Sequence, residues 1–140
     1  MTETVTGRCL CSAVTFSAAA KSHDVSVCQC SMCNRWAGGV LMFMDVIGAP
    51  AFEGADSIAV YKSSQWGERG FCKVCGSNLF WKVAGKDHYT LAVGTFDDQS
   101  KLHLATEIFI DDKPSYYSFA NDTVKQTGEQ AMAVYVAPEE

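Results

Sequence analysis

The sequence has no uninterrupted apolar run long enough to cross a membrane, because Asp45 breaks the longest candidate. Its first residues, MTETVTGRC, show no basic stretch followed by an apolar segment, so no secretory signal is expected there. Internal repeats, low-complexity segments and linkers are also missing. These absences predict a cytoplasmic, membrane-free protein that forms one domain over residues 1–140.

Basic residues are scarce as well. The chain has 11 Lys and Arg against 16 Asp and Glu, a net charge of −5, so no basic face is expected to bind nucleic acid. All three arginines nevertheless lie near cysteines: Arg8, Arg35 and Arg69. Two interpretations stay open here. Their placement is either chance on a solvated surface, or it supplies cations that compensate metal-bound thiolates and attract an anionic ligand.

Helical periodicity is weak, apart from one turn expected after Cys33. Short alternating apolar runs, separated by Gly, Asp, Ser and Pro, predict a mainly β protein. The predicted strands lie at 13–17, 41–46, 58–61, 79–83, 89–93 and 106–110. The tail from Thr123 is expected either to add a strand at 133–136 or to fray.

Cysteine, by contrast, is abundant. Seven cysteines form three groups: Cys9 and Cys11 in CLC, Cys28, Cys30 and Cys33 in CQCSMC, and Cys72 and Cys75 in CKVC. Thiols stay reduced in the cytosol, so metal binding or catalysis explains them better than disulfides do. Zinc takes tetrahedral thiolate cages from such short pairs. Gly76 allows the positive φ that a CxxCG turn needs. On a strand, side chains two positions apart face the same side, so a strand at CLC is expected to point Cys9 and Cys11 toward one ion.

The spacing of the cysteines favours a division into four and three. The CxC and CxxC pairs close one four-sulfur site, which is typical of structural zinc, and the CxCxxC run leaves a second site with an open position for chemistry. Other partitions remain possible, such as the triple taking one sulfur from a pair. The triple alone is also compatible with redox thiols, a chance core cluster, or a site closed by Asp or His. Of the histidines only His23 lies near it, and surface roles are expected for His23, His88 and His103.

Four stretches resemble one known family in the same order. GRCLCSAVTF, CQCSMCNRWAGG, YKSSQWGERGFCKVCGSNLFW and GTFDD are similar to the glutathione-dependent formaldehyde-activating enzyme family, also called the centromere protein V-like family. The resemblance runs from about Gly7 to Phe119, leaving 123–140 as a tail. It implies a β-tent fold of small antiparallel sheets stapled by zinc.

The resemblance also implies two zinc ions per chain. Cys9, Cys11, Cys72 and Cys75 match the structural ligands, while Cys28, Cys30 and Cys33 match the catalytic-type ligands. The implied reaction is that of a carbon–sulfur lyase, which adds glutathione to formaldehyde to give S-hydroxymethylglutathione.

Four positions depart from the family pattern. Gln29 and Glu107 stand where histidine is common, Ser12 where glycine is usual, and Tyr116 where tryptophan is common. None of these positions is a zinc ligand, so the departures are expected to alter a pocket and the substrate rather than the metals.

The chemistry of the triple can also be argued from its donors. Zinc held by three thiolates is a weak Lewis acid, so a small thiol as fourth ligand suits it better than water activation. Arg35 and Arg69 are the candidates to pair with the carboxylates of glutathione, and Trp66, in a glycine-flanked loop, is the aromatic expected to face the site. Two alternatives remain: a zinc-stabilised binding module without turnover, and a sensor that releases zinc on oxidation.

Overall fold

The computed structural model describes residues 2–136, with side chains described for residues 2–133. The chain forms two compact units. The first unit contains Met1–His23 and Phe43–Leu102, and the second contains Asp24–Met42 and His103–Glu140. The prediction of one domain over 1–140 stays a prediction. No helix among residues 2–136 is both long and apolar enough to cross a membrane.

The first unit is built from antiparallel strands. Three strands form one sheet in the order β1-β2-β5, and further pairs follow the order β4-β9-β8-β7-β6. β4 begins at Leu41, two residues before Phe43, where the second segment of this unit begins. The strands are β1 (Glu3–Arg8), β2 (Thr15–Ala20), β4 (Leu41–Asp45), β5 (Ile47–Glu53), β6 (Ile58–Lys62), β7 (Gly67–Cys72), β8 (Asn78–Val83) and β9 (Tyr89–Ala92).

Aromatic rings fill the core of this unit. Phe16 points inward from β2, and its ring makes edge contacts with Phe52 and Phe96 at centroid distances of 6.2 and 6.0 Å. The β7–β8 pair depends on close approach, because a Cβ at Gly70 would lie 2.2 Å from the ring of Phe80. Glycine at this position therefore lets the Phe80 ring lie directly against the β7 backbone.

The second unit contains three strands and two helices. The strands are β3 (Asp24–Cys28), β10 (His103–Ile108) and β11 (Val124–Lys125), and the helices are α1 (Ser31–Ala37) and α2 (Gly128–Val136). β10 pairs in parallel with both β3 and β11. Parallel pairing joins segments that are distant in the sequence. The register places Ile108 opposite Cys28, at the end of β3 that leads into α1.

The mainly β fold with small sheets is confirmed. All six predicted strands overlap an observed strand, and α1 provides the expected turn around Cys33. Five strands were not predicted: β1, β3, β5, β7 and β11. The antiparallel expectation describes the first unit, whereas the pairs β3–β10 and β10–β11 are parallel.

The strand considered at 133–136 is wrong, because these residues belong to α2. Thr127 and Gln130 form a reciprocal cap at the start of this helix. The backbone N–H of Gln130 donates to Thr127 Oγ1 at 3.2 Å, and the N–H of Thr127 donates to Gln130 Oε1 at 2.8 Å. This capping box starts a helix that the β-branched residues of the tail then continue.

Candidate metal centres

The four cysteines of the CLC and CKVC motifs meet in the first unit. Cys9 and Cys11 follow β1, Cys72 ends β7, and Cys75 lies in the next turn. Their sulfur atoms all lie within 4.8 Å of one another. The Sγ of Cys11 is 3.7 Å from that of Cys9 and 3.8 Å from that of Cys72. No disulfide links any of the seven cysteines, all of which fall within residues 2–136.

These distances fit one tetrahedral ion. Thiolate sulfurs bound about 2.3 Å from a tetrahedral metal lie about 3.8 Å from each other, which is the edge of the tetrahedron. The two measured edges agree with that value. The four sulfurs are thus close enough together to hold one metal ion.

A turn, not a strand, carries the CLC motif, so the expectation of a strand at Cys9 and Cys11 is wrong. β1 ends at Arg8, and the chain then folds back through hydrogen bonds from Ser12 N–H to the Cys9 carbonyl and from Cys9 N–H to the Val14 carbonyl. Ser12 takes φ +66°, which is the left-handed region. Its hydroxyl accepts a hydrogen bond from the Arg8 guanidinium at 3.1 Å.

The CKVC turn has the geometry that its sequence predicts. Gly76 has φ +81°, and its N–H donates to the Cys72 carbonyl at 2.7 Å. The Ser77 hydroxyl lies 3.2 Å from the sulfur of Cys75 and lowers the pKa of that thiol to about 5. A thiol with a lowered pKa is readily deprotonated, which is the form that binds metal.

The three cysteines of CQCSMC meet in the second unit. Cys28 ends β3, Cys33 lies in the first turn of α1, and Cys30 caps that helix by accepting a hydrogen bond from the Cys33 N–H at 3.3 Å. The three sulfurs lie within 4.8 Å of one another. In the described part of the chain, no histidine, aspartate or glutamate joins them as a fourth candidate ligand.

Hydrogen bonding among the three thiols favours a thiolate. Side-chain hydrogen bonding from Cys28 and Cys33 lowers the pKa of the Cys30 thiol. The same contact raises the pKa of Cys28. Sulfurs that share negative charge in a largely buried cluster are suitable donors for a soft cation, so this cluster also can hold a metal ion.

The histidines pair elsewhere or lie on the surface. His23 Nε2 is 2.5 Å from Glu3 Oε2, and His88 Nε2 is 3.8 Å from Asp45 Oδ1. His103 is exposed at the start of β10. None of the three belongs to either cysteine cluster.

The three residues considered for substrate binding lie in different settings. Arg35 is exposed in the last turn of α1, in the same unit as the three-cysteine cluster. Arg69 and Trp66 belong to the first unit. Arg69 is only 4% exposed, and its Nε donates to Ser63 Oγ at 3.1 Å. Trp66 is 38% exposed and meets Trp81 edge-on at 6.0 Å.

A buried polar network beside the three-cysteine cluster was not predicted. Gln29, between Cys28 and Cys30, donates through Nε2 to Glu107 Oε1 at 3.2 Å, and both residues are 1% exposed. Thr123 Oγ1 donates to Glu107 Oε2 at 2.6 Å, and the Tyr117 hydroxyl donates to Gln29 Oε1. Two departures from the family pattern, Gln29 and Glu107, are thus direct partners. The signal in the sequence was Glu107, a carboxylate among the apolar residues of the predicted strand 106–110, which needs a polar partner if it is buried.

The fold and the two clusters define a mainly β protein with two candidate thiolate metal centres. A model of the glutathione-dependent formaldehyde-activating enzyme family matches residues 4–112. A curated protein of Schizosaccharomyces pombe, named as an uncharacterized lyase, is 32% identical over 127 residues, which cover 90% of this chain and 93% of the yeast protein. The chain therefore belongs to the glutathione-dependent formaldehyde-activating enzyme family.

A solved structure shares the fold. The crystal structure of a Rhodobacter sphaeroides protein matches with a TM-score of 0.57 and 20% sequence identity, covering 66% of this chain and 87% of that chain. At this level of identity the likeness concerns the fold alone.

Proposed function

We propose that the protein is a zinc-dependent carbon–sulfur lyase that adds glutathione, or a similar small thiol, to formaldehyde or another small aldehyde. Its family and the lyase name of its yeast relative support the reaction class. The observation that carries the proposal is the cluster of Cys28, Cys30 and Cys33, in which three sulfurs converge without a fourth protein ligand among the described residues. The proposed location is the cytoplasm, where glutathione is abundant and cysteines stay reduced.

The two clusters receive different roles in this proposal. Cys9, Cys11, Cys72 and Cys75 form a closed set of four donors, which suits structural zinc. Cys28, Cys30 and Cys33 would hold the second ion with three donors, which leaves a position for a further ligand. Zinc bound there would supply a positive centre that keeps a thiol deprotonated near neutral pH.

The reaction balances without an external oxidant or reductant. The sulfur of the incoming thiolate forms a bond to the carbonyl carbon, and the π electrons of the carbonyl move to its oxygen. That oxygen takes up one proton, equal to the one lost by the thiol, and the product is a hydroxymethyl thioether. We assign Arg35, which is exposed in the same unit as the three-cysteine cluster, to a carboxylate of glutathione.

The variant Cys30→Ser tests the catalytic role of the second cluster. It removes one of the three sulfur ligands, whereas serine is itself a preferred helix-capping residue and should keep the start of α1. We therefore expect the acceleration of thiol addition over the uncatalysed rate to disappear. Exchange NMR with ¹³C-formaldehyde and glutathione measures the uncatalysed rate before the protein is added and the accelerated rate afterwards, in the same sample. Met32→Ala is the matched control, because Met32 lies in the same segment with its side chain 43% exposed, and it should keep the wild-type rate.

Two outcomes would contradict the proposal. A Cys30→Ser protein that retains the full acceleration would show that the second cluster is not catalytic. A wild-type protein that binds two zinc ions but accelerates no thiol addition would favour a binding module.

A further inference from the structure

Gln29 is held by the second unit through its backbone and its side chain together. Its N–H donates to the Ile108 carbonyl at 3.0 Å, and its Nε2 donates to Glu107 Oε1 at 3.2 Å. Both partners are consecutive residues at the end of β10. A single residue thereby ties the segment between Cys28 and Cys30 to the neighbouring strand.

This attachment matters because the rest of the cluster is fixed separately. Cys30 and Cys33 are related by the capping hydrogen bond at the start of α1. Cys28 belongs to β3, and its distance from Cys30 depends on the backbone of Gln29, the one residue between them. The conformation of Gln29 therefore sets how closely the sulfur of Cys28 approaches the other two.

The direction of every hydrogen bond in the network is determined. A carboxylate only accepts, so Glu107 requires the amide NH₂ of Gln29 on its side. The amide oxygen of Gln29 then faces Tyr117, whose hydroxyl must donate to it. Thr123 donates to the other oxygen of Glu107, and Lys125 Nζ lies 3.8 Å from that same oxygen.

Reversal of the Gln29 amide would be costly. It would place the amide oxygen against the carboxylate of Glu107, and two acceptors would face each other in a site closed to water. The buried carboxylate thus selects one orientation of Gln29, and with it one conformation of the CQC segment.

We propose that Glu107 and Gln29 act as positioning residues for the three-cysteine cluster, so that their hydrogen bond sets the affinity of this cluster for its metal ion. The inference rests on the part of the proposed function that places a metal ion at Cys28, Cys30 and Cys33. It is independent of the reaction. The four-cysteine cluster serves as an internal reference, because none of its ligands belongs to the network.

The variant Glu107→Gln tests the proposal with little change of volume, because an amide at this position can either donate or accept and so no longer selects one orientation of Gln29. We expect the affinity of the three-cysteine cluster for zinc to fall about 10- to 100-fold, as is typical when a partner that orients a ligand is lost. The affinity of the four-cysteine cluster should stay unchanged. Native mass spectrometry of the full chain, titrated with a competing chelator, counts the ions at each step. Co²⁺ titration reports the thiolate absorption of each cluster independently.

Glu68→Gln is the matched control. Glu68 is a partly buried carboxylate of β7 that pairs with Lys82 at 3.4 Å in the first unit. Glu68→Gln makes the same exchange of a carboxylate for an amide as Glu107→Gln, but at a residue that does not contact the network. It should therefore leave the zinc affinity of the three-cysteine cluster within threefold of wild type.

A second substitution in the same protein should restore the affinity. In the double variant Gln29→Glu with Glu107→Gln the donor and the acceptor exchange places, and Thr123 and Tyr117 can still donate as before. We expect zinc affinity within about threefold of wild type, with an unchanged Co²⁺–thiolate spectrum that excludes a new carboxylate ligand. Tyr117→Phe removes only the hydroxyl at the half-buried end of the network. If Glu107→Gln does not fold, a several-fold drop in the zinc affinity of the three-cysteine cluster in Tyr117→Phe takes its place as the test.

Three results would overturn the inference: equal loss of affinity at both clusters, no loss at either, or a double variant no better than Glu107→Gln. A wild-type protein that binds a single ion would instead overturn the proposed function, and the inference with it. The ion count of the wild type therefore separates the two failures.

Discussion

The two cysteine clusters use the chain in opposite ways. The first joins two turns that are far apart in the sequence, since Cys11 and Cys72 are separated by 61 positions. The second takes all its sulfurs from six consecutive residues, 28–33. An ion in the first cluster closes a long loop, whereas an ion in the second closes a short one. Under the proposed function, the first cluster maintains the fold and the second is available for exchange and chemistry.

Loss of one ligand from the first cluster should have the largest effect. Cys72 is fully buried, and in Cys72→Ser we expect the first unit to lose its cooperative unfolding transition, because binding of structural zinc contributes on the order of 10 kcal/mol to folding. Calorimetry and circular dichroism would measure this loss. Cys30→Ser is the comparison variant and should keep the transition. A Cys72→Ser protein with the wild-type melting temperature would refute the assignment of roles.

Gradual removal of metal should separate the clusters by a smaller effect. Four thiolates hold zinc more tightly than three, so we expect a chelator to take the ion from Cys28, Cys30 and Cys33 first. The far-ultraviolet circular dichroism should change little at that stage and should collapse only when the ion of the four-cysteine cluster leaves. Native mass spectrometry follows the number of ions at each step. Simultaneous loss of both ions, with unfolding, would contradict the comparison.

The smallest expected effect concerns the two turns of the first cluster. Gly76 and Ser12 both have positive φ, but only glycine adopts this conformation without strain. We expect Ser12→Gly to increase the free energy of unfolding by up to about 1 kcal/mol, reduced by loss of the bond from Arg8, and Gly76→Ala to decrease it by about 1 kcal/mol. Denaturant titration of the zinc-loaded protein measures both. Changes of the same sign would show that φ does not control these turns.

Local patterns in the sequence predicted much of this molecule. The short spacings of the cysteines predicted the groups, because such spacings bring sulfurs together through one turn of chain. Gly76 predicted the CKVC turn. Alternating apolar residues predicted β4, β6, β8 and β9 with bounds close to those observed. Each of these features depends on neighbours within a few residues.

Features that depend on distant partners were not predicted. β7, GERGFC, has glycines and charges instead of an apolar alternation, and it is a strand because β6 and β8 pair with both its edges. The Cys9 to Ser12 turn depends on hydrogen bonds that no spacing rule describes. Contact between Gln29 and Glu107 arises from the parallel register of β3 and β10, which a single sequence does not reveal.

The parallel pairing of β3 with β10 also has a consequence for biosynthesis. Gln29 and Glu107 are 78 positions apart, so at about 5–20 residues per second a ribosome makes the carboxylate roughly 4–16 s after the amide that it orients. Throughout that interval the thiols of Cys28, Cys30 and Cys33 exist on a nascent chain without the strand that arranges them. Maturation of this cluster is therefore a late event, which follows translation of β10 rather than of its own ligands.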